Sequence, residues 1–518
     1  MRHRNWLNLT LLLLTLLGRS SSLPNAATKA SSSQEHDEPN PIVIENRYPG
    51  SNLWQLPAIG FQVADDINLQ IKGYAANSST NPGGSVDLRV TVTPAQDFQV
   101  DVLRLGYYQG HGARLLQHLG PIHGIQQQPC TTDPVTRMIS CDWKNSLRLH
   151  IAQDWISGVY VAVLSSAGQY QSLVPFWVVD DKRHSDLLFL SSLNTYQAYN
   201  NFPYDPPPSD PQGLPQTGHS LYDFNSAGSV PSVKVSFDRP FNSQYGGPGD
   251  GGVFDFEPEL IAFLEKNGYD VAYAPDPVFD SHPSILLHHK AVVVGGHSEY
   301  WTMASYNGAI AARSKGTGLA FISANEIYWQ VRYEKNQNGI ARRVMVGYKD
   351  YEPDPIPNPK LRTIRWRDLG RPEQKLIGVQ FPTDGNQNFG GQPYLPENTD
   401  LWVYDNSGFI NGVPVNVEAV GYEIDNYDPS VGLPEGTGYT TLADSPFVNF
   451  NNVTYTHNSS IYRGTGGNWV WATGSMDWSW TLSPGGSSTG KSNVRHEMQV
   501  VTRNVLNRMI QDAPEGGR

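Results

Sequence analysis

The chain has 518 residues, 39% hydrophobic and 11% aromatic, with 49 Gly, 38 Pro and a formal net charge of −12. That length exceeds one ordinary domain and predicts roughly two to four. An acidic balance without any run of Lys and Arg excludes a phosphate-backbone partner, so no nucleic acid is expected.

Arg2 and Arg4 precede a Leu-dominated stretch from Trp6 to Leu17, and small or polar residues follow from Gly18 to Ser22. This layout predicts a signal peptide over residues 1–22 and a secreted, extracellular protein, with an uncleaved anchor as the alternative. No other stretch approaches the roughly eighteen apolar residues of a span, so no membrane partner is expected after cleavage. Residues 23–41 are small and polar and predict a disordered linker.

Over residues 42–182 the pattern is period-two alternation. SVDLRVTVTP, FQVDVLRLGYY, LRLHIA, GVYVAVLSS and SLVPFWVVDD are short β-branched and aromatic runs separated by turn residues. They predict an all-β, immunoglobulin-like sandwich. The only cysteines, Cys130 and Cys141, have ten residues between them in a turn-rich segment and can close a small loop as a disulfide. Acceptor sequons at Asn77, Asn452 and Asn458 also suit an exported glycoprotein.

The pattern changes at Asp186. DLLFLSS (186–192) is a continuous apolar run, as for a strand buried on both faces. FEPELIAFLEKNG (256–268) has helical spacing and stops at Gly268, and YDVAYAPD follows as a strand. KAVVVGG (290–296) predicts another buried strand, then an Ala-rich helix to Lys315, then the strand GLAFISAN (318–325). This alternation predicts, over residues 183–512, an α/β domain with a parallel sheet and crossover helices, of glutamine-amidotransferase or flavodoxin-like type. Residues 335–490 are rich in Gly, Pro and Asn with scattered strands, and 494–511 reads as a closing amphipathic helix.

Ligands of open parallel sheets bind beyond the carboxyl ends of the strands. Three expected ends carry polar or titratable groups: the one leading to Tyr196 and Tyr199, the one leading to His297 and Glu299, and the one leading to Asn325. Gly295 and Gly296 allow close backbone approach beside His297 and Glu299. The competing reading makes His297 a helix cap and Glu299 a first-turn residue favoured by the helix dipole. Other chemistries fit less well. Gly296-His297-Ser298-Glu299-Tyr300 lacks the second glycine of a nucleophile elbow, and neither cysteine lies in the α/β half to act as a nucleophile. Gly247–Gly252 has dinucleotide-type spacing but follows a polar loop, which suits a lid better. No HExxH or CxxC supports zinc.

Several motifs in order resemble the large (β) subunit family of N,N-dimethylformamidase, in its C-terminal domain: RLGYYQGHGAR (104–114), NTYQAYNNF (194–202), HSLYDFNS (219–226), VSFDRPF (235–241), GGHSEYW (295–301), FISANEIYWQVR (321–332), GYEID (421–425) and GSMDWSW (474–480). The resemblance implies an amidohydrolase of non-peptide C–N bonds that uses Fe(III) held by two tyrosinates and a glutamate. By motif these are Tyr199, Tyr222 and Glu299, with Tyr196 the rival for the first place. It implies His297, Asn325 and Glu423 as catalytic or supporting groups. Three anionic oxygen donors balance a trivalent cation, whereas softer metals are less well served. A Pro-rich stretch, 202–218, stands where relatives have a short link. The extra domain and partner subunit of that enzyme are not expected here, and export is unusual for it, so a different substrate is expected. The expected partners are a small-molecule amide and, as an open option, a second copy in a homo-oligomer. The competing class is a secreted binding protein for a glycan or surface on a degenerate enzyme scaffold.

Overall fold

Between Ser85 and Thr91 every second side chain is buried, and the same alternation opens the strand Asp97–Leu105. Such half-buried strands need a second apolar layer. A three-stranded sheet (Lys72–Ala75, Ser85–Thr91, Leu147–His150) shares one core with a six-stranded sheet built around Asp97–Leu105, Gly158–Ser166 and Tyr170–Val178. The last two strands are buried on both faces. Tyr160, Ala162, Leu164 and Phe176 fill the core shared with Val86 and Leu88. Val159, Val161, Val163 and Trp177 join a second core that also holds Leu187–Leu190. That two-sided demand is why GVYVAVLSS is apolar throughout.

The computed structural model describes residues 39–243, 252–384, 391–484 and 494–514. The expected signal peptide, the linker up to residue 38 and the glycines at 247–251 lie outside them. From Asn40 onward the chain forms one compact unit. The Asn40 side chain caps the short helix Pro41–Glu45, and Ile42 is fully buried, so Asn40 and Pro41 of the expected linker belong to a regular element. Cys130 and Cys141 form a disulfide. Among the described residues no helix is long and apolar enough to cross a membrane.

The second core surrounds a seven-stranded sheet, whose strands are numbered along the chain: β1 (Leu187–Ser191), β2 (Val271–Pro275), β3 (Ala291–Val294), β4 (Gly318–Phe321), β5 (Gly436–Thr441), β6 (Ser460–Gly464) and β7 (Trp469–Ala472). Their order is β2-β1-β3-β4-β7-β6-β5; the first five run parallel, and β6 pairs antiparallel with both β7 and β5. Four helices matter here: α1 (Leu193–Tyr199), α2 (Pro258–Lys266), α3 (Met303–Ser314) and α4 (His496–Gln511).

The expected flavodoxin-like or glutamine-amidotransferase-like parallel α/β fold is therefore corrected. Strand makes up 30% of the described residues against 21% helix, and it is spread over many small sheets beside the two large ones. The physical reason lies between β4 and β7. A parallel neighbour needs a crossover, usually a helix. Here that connection runs from Ile322 to Asn468, and its Gly-, Pro- and Asn-rich sequence forms antiparallel pairs such as Gln380–Asp384 with Glu423–Asn426 and Ser445–Val448 with Thr454–His457.

The RLGYYQGHGAR motif joins the two cores. Arg104, fully buried on Asp97–Leu105, pairs with both carboxylate oxygens of Glu265 on α2, at 2.7 and 3.1 Å. Tyr273 of β2 donates to the same Glu265 at 2.8 Å. Tyr108 links Arg104 to Glu45, which Arg114 also engages. A side chain at Gly106 would meet Glu265 at 2.3 Å, so this position excludes any Cβ.

Candidate functional site

The loops that leave β1, β3 and β4 hold the candidate residues. After β3 the chain turns through Gly295 and Gly296, the latter at φ +75° with Tyr196 Oη 2.5 Å from where its Cβ would stand. The segment that follows is pinned on both sides. The Glu299 amide donates to Thr195 Oγ1, and the Glu299 carbonyl accepts from the Tyr328 and Trp329 amides at 2.9 Å each. Glu299 is thereby fixed before its side chain makes any contact.

Tyr222 is carried back to this point by the Pro-rich loop, and buried polar clamps hold that loop. The Leu221 amide donates to Ala198 O at the end of α1. Arg239 of VSFDRPF donates to Asn200 O at 2.6 Å and to His219 O at 3.0 Å, on either side of the loop. Asp66, paired with Lys72 at 2.7 Å, accepts from the amides of Tyr204 and Ser243. With these clamps the loop's length does not displace Tyr222.

The Tyr222 hydroxyl lies 2.8 Å from each oxygen of Glu299. Tyr300 Oη donates to Tyr222 Oη at 2.6 Å, and Lys349 Nζ donates to Tyr300 Oη at 3.1 Å. Lys349 Nζ also sits 3.2 Å from the centre of the Tyr222 ring. Tyr199 packs on Tyr222 with ring centroids 4.3 Å apart. Tyr196 faces away from this group: its hydroxyl donates to Glu257 at 2.8 Å, in a separate pocket with Ser191 and Ser192. His297 Nε2 is 2.9 Å from Glu423 Oε2 and 3.8 Å from Glu299 Oε2, the first an ion-pair contact rather than a directed hydrogen bond. Asn325, at φ +54°, donates its backbone N–H to Asp425, two residues from Glu423. Its side-chain oxygen is buried without a hydrogen-bond partner.

Burial governs the electrostatics. It pushes the Glu299 carboxyl up, against the pull of His297 and Lys349. Tyr199, Tyr222 and Tyr300 are raised well above their ordinary value, first by burial and then by Glu299. Lys349 is driven down to about 7 by burial, although Glu299 opposes this. For His297 burial disfavours the charged form, but Glu423 and Glu299 outweigh it and the pKa is raised.

Sequence reasoning missed Tyr300 and Lys349. Adjacent residues of a regular strand face opposite ways, so Glu299 and Tyr300 are not expected in one cluster; here the strand begins only at Tyr300. Lys349 sits at φ +56° in an irregular loop and left no periodic signal. Among the described residues no group of three or more His, Cys, Asp and Glu is arranged to hold a metal, so any metal in this cluster rests on phenolic oxygens as well.

Two relatives carry the name N,N-dimethylformamidase beta subunit. That from Alcaligenes sp is 27% identical over 286 residues, covering 49% of this chain and 36% of the relative. That from Paracoccus aminophilus is 24% identical over 436 residues, covering 72% and 55%. The chain thus spans only about a third to a half of the length of these relatives. Among solved structures, a superoxide reductase (neelaredoxin) from Ignicoccus hospitalis matches at 10% identity, 24% of this chain and 99% of that one, with a TM-score of 0.15, too low to carry any argument. Residues 99–493 match the family described as N,N-dimethylformamidase beta subunit-like, C-terminal, and with that span of the sequence matched the chain belongs to this family.

Proposed function

We propose that the protein is a metal-dependent hydrolase of an amide C–N bond, converting an amide and water into a carboxylic acid and an amine. The observation that carries the reading is the Tyr222 hydroxyl, 2.8 Å from both Glu299 oxygens with the Tyr199 ring against it. Tyr199, Tyr222 and Glu299 would hold Fe(III). The donor chemistry fits: the three side chains offer hard oxygen donors, with Tyr222 and Glu299 buried and Tyr199 half-buried, and His297 Nε2 stays 3.8 Å from Glu299. Burial favours the protonated forms of these groups, and a bound trivalent charge would favour the ionised ones. Iron, when bound, supplies a charge that acidifies water and polarises the amide carbonyl.

The chain's own groups handle protons and orientation. His297, whose Nε2 lies 2.9 Å from Glu423, would pass a proton to the departing amine nitrogen. Asn325, whose carboxamide oxygen is buried without a hydrogen-bond partner, would orient the polar end of the substrate. Export after removal of residues 1–22 belongs to the same proposal, and N-terminal sequencing of the secreted protein checks it. The relatives are named as subunits, which supports an oligomeric assembly readable by light scattering.

The activity test is release of amine from N,N-dimethylformamide and larger N-alkyl amides by iron-loaded protein. Chelation and Glu299→Gln should each abolish turnover. His297→Asn should keep the iron yet lower kcat by about 10²–10⁴. An iron-loaded protein that hydrolyses no amide overturns the reading.

A further inference from the structure

Phe224 is 61% exposed, yet its ring lies 4.8 Å from that of Tyr222 and 6.4 Å from that of Tyr199. A single exposed apolar ring is ordinary on a protein surface; what singles out Phe224 is its contact with the rings of Tyr222 and Tyr199. The backbone beneath it is tightly held. The Phe224 amide donates to Asp223 Oδ1, and the neighbouring Asn225 side chain is tied to Ser220 and to Tyr199 O. A fixed backbone with an exposed aromatic ring, tilted against buried Tyr222 and half-buried Tyr199, makes a preformed wall. A second aromatic pair also lies near His297: the Phe256 ring is 6.3 Å from His297 and stacks on Trp480 at 6.0 Å, 17° between planes. Tyr199 flanks the same imidazole at 6.1 Å.

We infer that Phe224 is a specificity-determining residue that packs against an apolar substituent of the substrate, an alkyl or aryl group larger than methyl, as it projects out of the cluster. The inference rests on the amide-hydrolase reading and deepens it by naming the substrate class. Amides with a bulky apolar N-substituent are favoured over small ones. The exposed ring offers such a substituent stacking and dispersion.

The experiment compares the iron-loaded protein with Phe224→Ala and Phe224→Trp on N,N-dimethylformamide, N,N-dibutylformamide and N-benzylformamide. Binding of N-benzylformamide is measured separately by calorimetry. Phe224→Ala should lower kcat/KM for the benzyl and dibutyl amides roughly tenfold, as expected for loss of one aromatic contact. It should leave the dimethyl amide and the iron content unchanged, and Phe224→Trp should restore the preference. Equal effects on all three amides overturn the inference while leaving the hydrolase reading intact. If no amide is cleaved but N-benzylformamide still binds in a Phe224-dependent way, the hydrolase reading fails while the apolar contact at Phe224 stands. Binding that ignores Phe224, or no binding at all, overturns the inference.

Discussion

At the scale of single residues, burial sets the charge of almost every group that matters. His457 is an example outside the candidate site. It is fully buried, donates from Nε2 to Thr473 O at 2.9 Å, and burial pushes its pKa down to about 4 despite that bond. In the unfolded chain a histidine titrates near ~6.5. Between those values the unfolded state binds more protons, so the stability His457 contributes above pH 6.5 is lost as the pH falls toward 4, by about 2–3 kcal/mol. Asp276 and Asp425, raised by burial to about 8 and about 7, act in the opposite sense and lose stability as pH rises. The difference between variants isolates the histidine: His457→Gln should show a smaller drop in urea midpoint between pH 7 and pH 5 than the parent. An equal drop would mean that His457 is protonated in the folded protein. What the sequence revealed at this scale depended on chain context. Glu299 was legible because an apolar strand and two glycines precede it, whereas the contact of His297 with Glu423 joins residues 126 positions apart and no spacing rule reaches that far.

At the scale of elements, motifs that look catalytic in sequence divide into two kinds. GGHSEYW and HSLYDFNS supply the cluster itself, through Glu299 and Tyr222. RLGYYQGHGAR and VSFDRPF are braces: Arg104 ties a strand of the first core to α2, and Arg239 holds both ends of the Pro-rich loop. Removing one partner of a buried pair leaves the other uncompensated. Arg104→Ala should therefore cost about 3–5 kcal/mol in urea unfolding, with Glu265 stranded beside Tyr273. A loss below about 1 kcal/mol, the range of exposed pairs, would show that the pair is not a brace. The runs at 186–192, 290–296 and 318–325 were legible as β1, β3 and β4 because strands buried on both faces read as unbroken apolar sequence. The connection from Ile322 to Asn468 was not, because short antiparallel pairs take their register from distant partners such as Thr383 with Ile424.

At the scale of the whole molecule, two cores share the strands Gly158–Ser166 and Tyr170–Val178, and the disulfide hairpin lies against residues of the second half. Cys141 donates its amide to Asp238 O, and Tyr74 donates to Cys141 O at 2.7 Å. Asp238 in turn pairs with Arg343. Opening the Cys130–Cys141 loop by a double serine substitution should lower stability by about 2–3 kcal/mol through added freedom of the unfolded chain. Unchanged unfolding after reduction would place that hairpin outside the cooperative unit. Of the sequons, Asn452 is exposed, but Asn458 is buried with its side chain bonded to Ala443 O, so the folded protein does not present it. The central claim is that Tyr199, Tyr222 and Glu299 form one metal site. The most direct test is metal analysis of the purified protein together with its visible spectrum. Near-stoichiometric iron with a tyrosinate-to-iron charge-transfer band is expected, weakened or shifted in Tyr222→Phe and absent in Glu299→Gln. A colourless protein that takes up no iron, or a band unaffected by Tyr222→Phe, would contradict the account.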